Sequence, residues 1–90
     1  MHHQYILSEY IENAMDYAEF EKQKDGTYIG KISICKGVEA MAETLADVND
    51  ILRENLEDWI LHGLKLRRKL PVINGINLNI NIDTDLNEDL

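Results

Sequence analysis

From Leu45 onward, Leu45, Val48, Ile51, Leu52, Leu56, Trp59 and Ile60 recur at three- and four-residue spacing. That rhythm puts them on one face of a helix and leaves the other face polar. Thr44 precedes the run, and Asp47 follows three residues later. This is a capping-box-like pattern with Asp in place of the usual Glu or Gln. The helix is predicted from Leu45 to about Lys69. Pro71, which lacks an N–H and clashes with a preceding turn, ends it. Gly63 interrupts the run at a cost of ~1 kcal/mol relative to Ala and marks a bend. A shorter amphipathic stretch lies near the start. Leu7, Tyr10, Ile11, Ala14, Met15 and Ala18 share one stripe, and Ser8 can serve as its N-cap. A helix over residues 8–18 follows.

Between the helices the period changes to two. Tyr28, Gly30, Ile32 and Ile34 alternate with Ile29, Lys31 and Ser33, the pattern of a strand with one apolar face. Asp25-Gly26 before it predicts a hairpin with a type I′ turn, so the partner strand runs roughly from Ala18 to Lys24. Gly37 turns the chain into a third strand, where Val38, Ala40 and Ala42 share a face small enough to admit a helix. After Pro71, Asn74-Gly75 predicts another turn. Ile76, Leu78, Ile80 and Ile82 then alternate with polar residues in a final strand. The order helix, three strands, helix, strand defines an α+β fold: a small, mainly antiparallel sheet with one long helix packed on one face. Residues 1–82 read as a single domain, with the N-terminal helix at 8–18 and a core at 19–82. Residues 83–90 read as an acidic, mobile tail.

Composition narrows the function. Ninety residues, with 17 acids against 9 bases and a formal charge of −8, permit one core and little room for a deep enclosed site. The acid excess argues against wholesale nucleic-acid binding, which needs cations to displace counterions, and it permits a basic partner. One cysteine cannot form an internal disulfide, and there is no Cys-x-x-Cys pair for zinc or redox work. The chain has no apolar run long enough for a membrane span and no basic-then-apolar leader at its N-terminus. A cytoplasmic location is expected.

The stretch DGTYIGKISICKGVEAMAETLADVNDILRENLEDWI resembles the HicB-like antitoxin family. Tyr28, Gly37, Val38, Thr44, Val48, Leu52, Glu54 and Leu56 fall where that pattern has them. The continuation LKLRRKLPVINGINLN is similar to a stand-alone branch with an N-terminal helix and a P-V-x-D/N-G-I ending. The resemblance, over roughly Glu9 to Leu78, implies a β-β-β-α-β arrangement described as a partial RNase H-like fold. It implies as partner a small basic HicA-like toxin that cleaves RNA. Many members carry a C-terminal DNA-binding domain. This sequence has no room for one after Leu78, so no direct DNA binding is expected. It also has Cys35-Lys36 where many relatives place a proline before the glycine.

Each candidate site has a plainer reading beside it. RNase H chemistry needs carboxylates converging on two metal ions. The strands offer Glu19, Glu21 and Glu39, whereas Asp50, Glu54 and Glu57 have the spacing of a solvated helix face. Lys36 beside Cys35 could lower a thiol pKa, but no base accompanies it, and a structural cysteine at a strand end suffices. His62 reads as a partly exposed helix residue. Lys65, Arg67, Arg68 and Lys69 could touch phosphate, yet cations are also favoured at the negative end of a helix dipole. Tyr5, Tyr10 and Tyr17, on a helix that the family core does not need, could cover a subunit contact. No catalytic residue, metal or cofactor is assigned.

The expected function is therefore non-catalytic: binding a small basic toxin, with self-association. The alternatives are a weak metal-dependent nuclease and a stand-alone oligomeric domain. Self-association follows from apolar strand faces that one helix cannot cover. Ile29, Ile76, Leu78, Ile80 and Ile82 are the candidate interface of a homodimer or homotetramer.

Overall fold

The computed structural model describes residues 2–79, with side chains described from Ile6 onward. Helix α1 (His2–Met15) leads into strands β1 (Ala18–Lys22), β2 (Tyr28–Ile32) and β3 (Glu39–Ala42), followed by helix α2 (Leu45–Lys65). The strands form an antiparallel meander in the order β1-β2-β3. This is the α+β arrangement that the periodicities predict. The core lies between the sheet and α2. Ile32, Val38 and Ala40 from the sheet side meet Val48, Leu52, Leu56 and Ile60 of α2, all buried.

The cap of α2 forms as the sequence indicates. Thr44 is extended (φ −127°) and its Oγ1 accepts from the Asp47 N–H at 3.0 Å. The far end differs from expectation. The helix stops at Lys65, well before Pro71, in a Schellman turn: Arg67 N–H donates to Leu64 O at 3.1 Å and Arg68 N–H to Gly63 O at 2.8 Å. Arg67 takes the left-handed position (φ 58°) where glycine is usual. Gly63 serves this stop rather than a bend. A Cβ there would lie 2.7 Å from Leu70 Cδ2, so the missing side chain lets Leu70 fold back against the helix.

Helix α1 begins before Ser8, which lies inside it, and ends at Met15. Burial rather than a cap holds it, because Tyr10, Ile11 and Ala14 belong to the core. The hairpin after β1 is also not type I′. Gly26 N–H donates to Gln23 O at 3.0 Å, Gln23 N–H to Thr27 O at 2.7 Å, and only Gly26 among the loop residues has positive φ (93°). That is a three-residue loop with a glycine bulge. Asp25 closes it, its Oδ1 accepting from both the Thr27 N–H (3.0 Å) and hydroxyl (2.7 Å). Strand β2 stops at Ile32, where Cys35 N–H donates to Ile32 O, and leaves Ile34 outside the ladder and exposed.

The type I′ geometry occurs instead at Asn74-Gly75, both with positive φ, between Ile73 and Ile76, which exchange two backbone bonds at 3.1 and 2.8 Å. The final strand does not develop over residues 76–79. In register, the next bonded pair would join Pro71 to Leu78, and Pro71 has no N–H to give. The Pro71 carbonyl accepts instead from the Tyr10 hydroxyl at 2.6 Å. The Asn79 side-chain amide takes over the pairing with Leu70, accepting from its N–H (2.6 Å) and donating to its carbonyl (2.9 Å). Ile80, Ile82 and the acidic segment 83–90 lie outside the described residues.

Candidate functional site

One sheet face is covered and the other is open. Antiparallel register fixes which side chains share the open face. One row across the strands is Glu19, Lys31, Glu39; the next is Glu21, Ile29, Met41. Met41 is 59% exposed and Ile29 half-buried. A shallow depression lined by Glu19, Glu21, Gln23, Ile29, Lys31 and Glu39 runs across this face. Two apolar side chains are thus framed by three carboxylates and one lysine. Beside it, β3 is an edge strand of four residues. Asn55 Nδ2 donates to Glu39 O at 2.8 Å and satisfies one carbonyl of that edge. Around the edge of the sheet, Phe20, Leu45, Ala46 and Asn49 line an apolar groove next to the start of α2.

The candidate interface residues fare differently. Ile29 stands on the open face. Ile76 and Leu78 are half-buried and pack against the core, so most of their apolar surface is used within the chain. Ile80 and Ile82 lie outside the described residues. Met41 is the residue that the pattern did not single out. Its position out of phase with Ala40 and Ala42 places it outward, but only the register shows that it extends Ile29.

Tyr10 of α1 turns inward and Tyr17, just past the helix, toward the C-terminal hairpin; the side chain of Tyr5 lies outside the described residues. Tyr10 is fully buried, and Tyr17 donates to Asn74 Oδ1 at 2.7 Å. Asn74 in turn donates to Asn13 Oδ1 at 2.6 Å. These residues stitch α1 to residues 70–79. Glu12 adds a tie to α2 by accepting from Arg53 at 2.8 Å.

Chemistry at the remaining candidates is limited. Cys35 is fully buried, and burial pushes its thiol up to about 11, the opposite of an activated nucleophile. Burial, and then the nearness of Cys35, pushes the Tyr10 phenol above its ordinary value. Both Thr27 donors hold the exposed Asp25 carboxyl below its ordinary value. Among the described residues, no three His, Cys, Asp or Glu side chains come close enough together to hold a metal ion. In the open-face row Lys31 stands between Glu19 and Glu39. His62, Asp50, Glu54 and Glu57 are exposed on α2, and Lys65, Arg67, Arg68 and Lys69 are exposed at its end. Trp59 is half-buried against the core. No described helix is long and apolar enough to cross a membrane.

A small antiparallel sheet with a long helix across one face and the other face open defines a small α+β domain. Comparison places the chain within a family. Residues 9–71 match the UPF0150-like family, and the chain belongs to it. The fold is similar to that in the crystal structure of TTHA0281 from Thermus thermophilus. The TM-score is 0.77 at 30% identity, over 83% of this chain and 94% of that one. No curated protein matches significantly.

Proposed function

We propose that the chain is an antitoxin-type binding module that neutralises a small basic, HicA-like RNA-cleaving toxin and has no catalytic activity of its own. The observation that carries this reading is the open sheet face, where Ile29 and Met41 are flanked by Glu19, Glu21 and Glu39. An apolar centre with an acidic rim suits a basic protein surface: the centre supplies affinity and the rim supplies steering and selectivity. Membership of the UPF0150-like family, which is of HicB-like, antitoxin type, supports it. The chain also self-associates in this reading, as a homodimer or homotetramer.

The test is capture from the native host, followed by binding measurements with the captured protein. A small basic ribonuclease should bind, and its RNA cleavage should stop at equimolar chain. Met41→Asp and Ile29→Asp should each weaken binding by at least tenfold, and affinity should fall with added salt because exposed charge pairs are screened within ~8 Å at physiological ionic strength. A partner that binds equally well to both variants would remove the sheet face from the reading. Intrinsic magnesium-dependent RNase activity, lost on changing Glu19 or Glu21 to Gln, would replace it with the nuclease alternative.

A further inference from the structure

The solvent side of α2 is ordered by charge along its length. Asp47, Asp50, Glu54 and Glu57 are all exposed and recur at intervals of three or four residues. They therefore form one stripe facing away from the core. The same stripe continues through Leu61, 57% exposed, to Lys65. Arg67, Arg68 and Lys69 follow in the turn that closes the helix, all exposed. Among the described residues, the only ion pair links Arg53 to Glu12, so the cations at this end have no carboxylate partner there. One exposed helix face thus runs from acid, through a single large apolar side chain, to base.

We infer that this face of α2 docks against the same face of a second copy, antiparallel, about a two-fold axis at Leu61. The register follows from symmetry. With Leu61 against Leu61 of the second copy, Glu57 faces Lys65 of the second copy, and Glu54 lies toward the closing turn of the second copy, which carries Arg67, Arg68 and Lys69. Each contact occurs twice, because a two-fold interface is self-complementary. Other registers are worse. An axis at Glu57 would set carboxylate against carboxylate at the centre, and a parallel arrangement would place each charge block against its like. The central Leu61 pair is the desolvated anchor, and the ion pairs flanking it fix orientation more than they add affinity. The inference rests on the self-association in the preceding reading, names its surface, and does not involve the toxin.

A charge-exchange experiment tests it. One variant carries Glu54→Lys and Glu57→Lys; the other carries Lys65→Glu and Arg68→Glu. All four side chains are exposed and make no side-chain hydrogen bond or ion pair among the described residues, so folding should be preserved, which circular dichroism checks. Sedimentation equilibrium on the purified chain should show a dimer that weakens at least tenfold between 50 and 500 mM salt, a range over which the ~14 Å screening length shrinks to about a third. Each variant alone should be monomeric at the same concentration, and an equimolar mixture should recover a one-to-one dimer. Leu61→Asp should abolish association in every combination. Variants that dimerise like the parent would overturn the inference while leaving self-association through another face, and the toxin reading, intact. A monomeric parent would overturn it outright. So would a base-reversed variant whose only defect is lost binding of a heparin probe, which would assign the basic end to a polyanion.

Discussion

At the scale of single residues, Cys35 shows how burial decides chemistry. A lysine neighbour in sequence suggests activation, but Lys36 is exposed while Cys35 is sealed in the core. The low-dielectric surroundings disfavour the thiolate, and the group moves from about 9 to about 11. The consequence for stability has a definite sign. Between those values the folded chain keeps a proton that the unfolded chain releases, so rising pH favours unfolding. The contribution is complete below about pH 9 and is lost toward about pH 11. Its full size is on the order of 2 kcal/mol. Tyr10 acts in the same direction at still higher pH. Urea unfolding at pH 8 and pH 10 should show a lower midpoint at the higher pH, and Cys35→Ala should flatten that difference. Native protein at pH 8 should also resist thiol alkylation until denatured. Equal pH slopes in parent and variant would mean that the thiol ionises freely in the fold.

At the scale of elements, the sequence was most informative where one local rule acted alone. The period of α2, its Thr44 cap and the alternation in β2 and β3 all survive into the structure. The ends were less legible, because each was settled by something distant or by a competing local motif. Pro71 marks a stop, but the Schellman turn at Arg67 acts first. Ile76 to Ile82 alternates like a strand, but Pro71 removes the donor that would extend the ladder, and the Asn79 amide takes its place. The open face was half legible: Ile29 stood out by itself, while Met41 and the carboxylate rows needed the register. Gly30 is another feature that only register explains. It pairs with Phe20, whose ring lies across it, so a Cβ at Gly30 would fall 2.8 Å from Phe20 Cε1 and 3.3 Å from Leu52 Cδ2. Gly30→Ala should destabilise the chain by roughly 1–3 kcal/mol, the usual range for overpacking. Adding Phe20→Ala should return part of that loss, because the two changes share one clash. Strictly additive losses in the double variant would show that the ring does not occupy the space over Gly30.

At the scale of the whole molecule, α1 and the C-terminal hairpin behave as one belt across the second layer. The first helix looks dispensable in a comparison of core patterns, yet Tyr10 is fully buried and its hydroxyl donates to Pro71 O at 2.6 Å. Asn13, Asn74 and Tyr17 continue the seam. Ile73, at 1% exposure, plugs the hairpin into the same core that receives Tyr10. A domain of this size has a total stability of roughly 5–10 kcal/mol. Truncating a buried aromatic costs about 3–5 kcal/mol, so Tyr10→Ala should leave the fold marginal. Tyr10→Phe should cost only about 1 kcal/mol, since it removes one hydrogen bond and keeps the packing. The seam makes a further demand on how the structure opens. If α1 and residues 70–76 share their contacts, they should open together. Amide hydrogen exchange can follow this at Ile73 and Ile76, whose N–H groups are bonded across the turn. In Tyr10→Ala, protection at these two amides should fall together with protection along α1 and by a similar factor, while the amides at the centre of α2 remain the last to exchange. Hairpin amides that keep parental protection while α1 exchanges freely would show that the hairpin is anchored by Ile73 alone and that the seam carries no cooperativity.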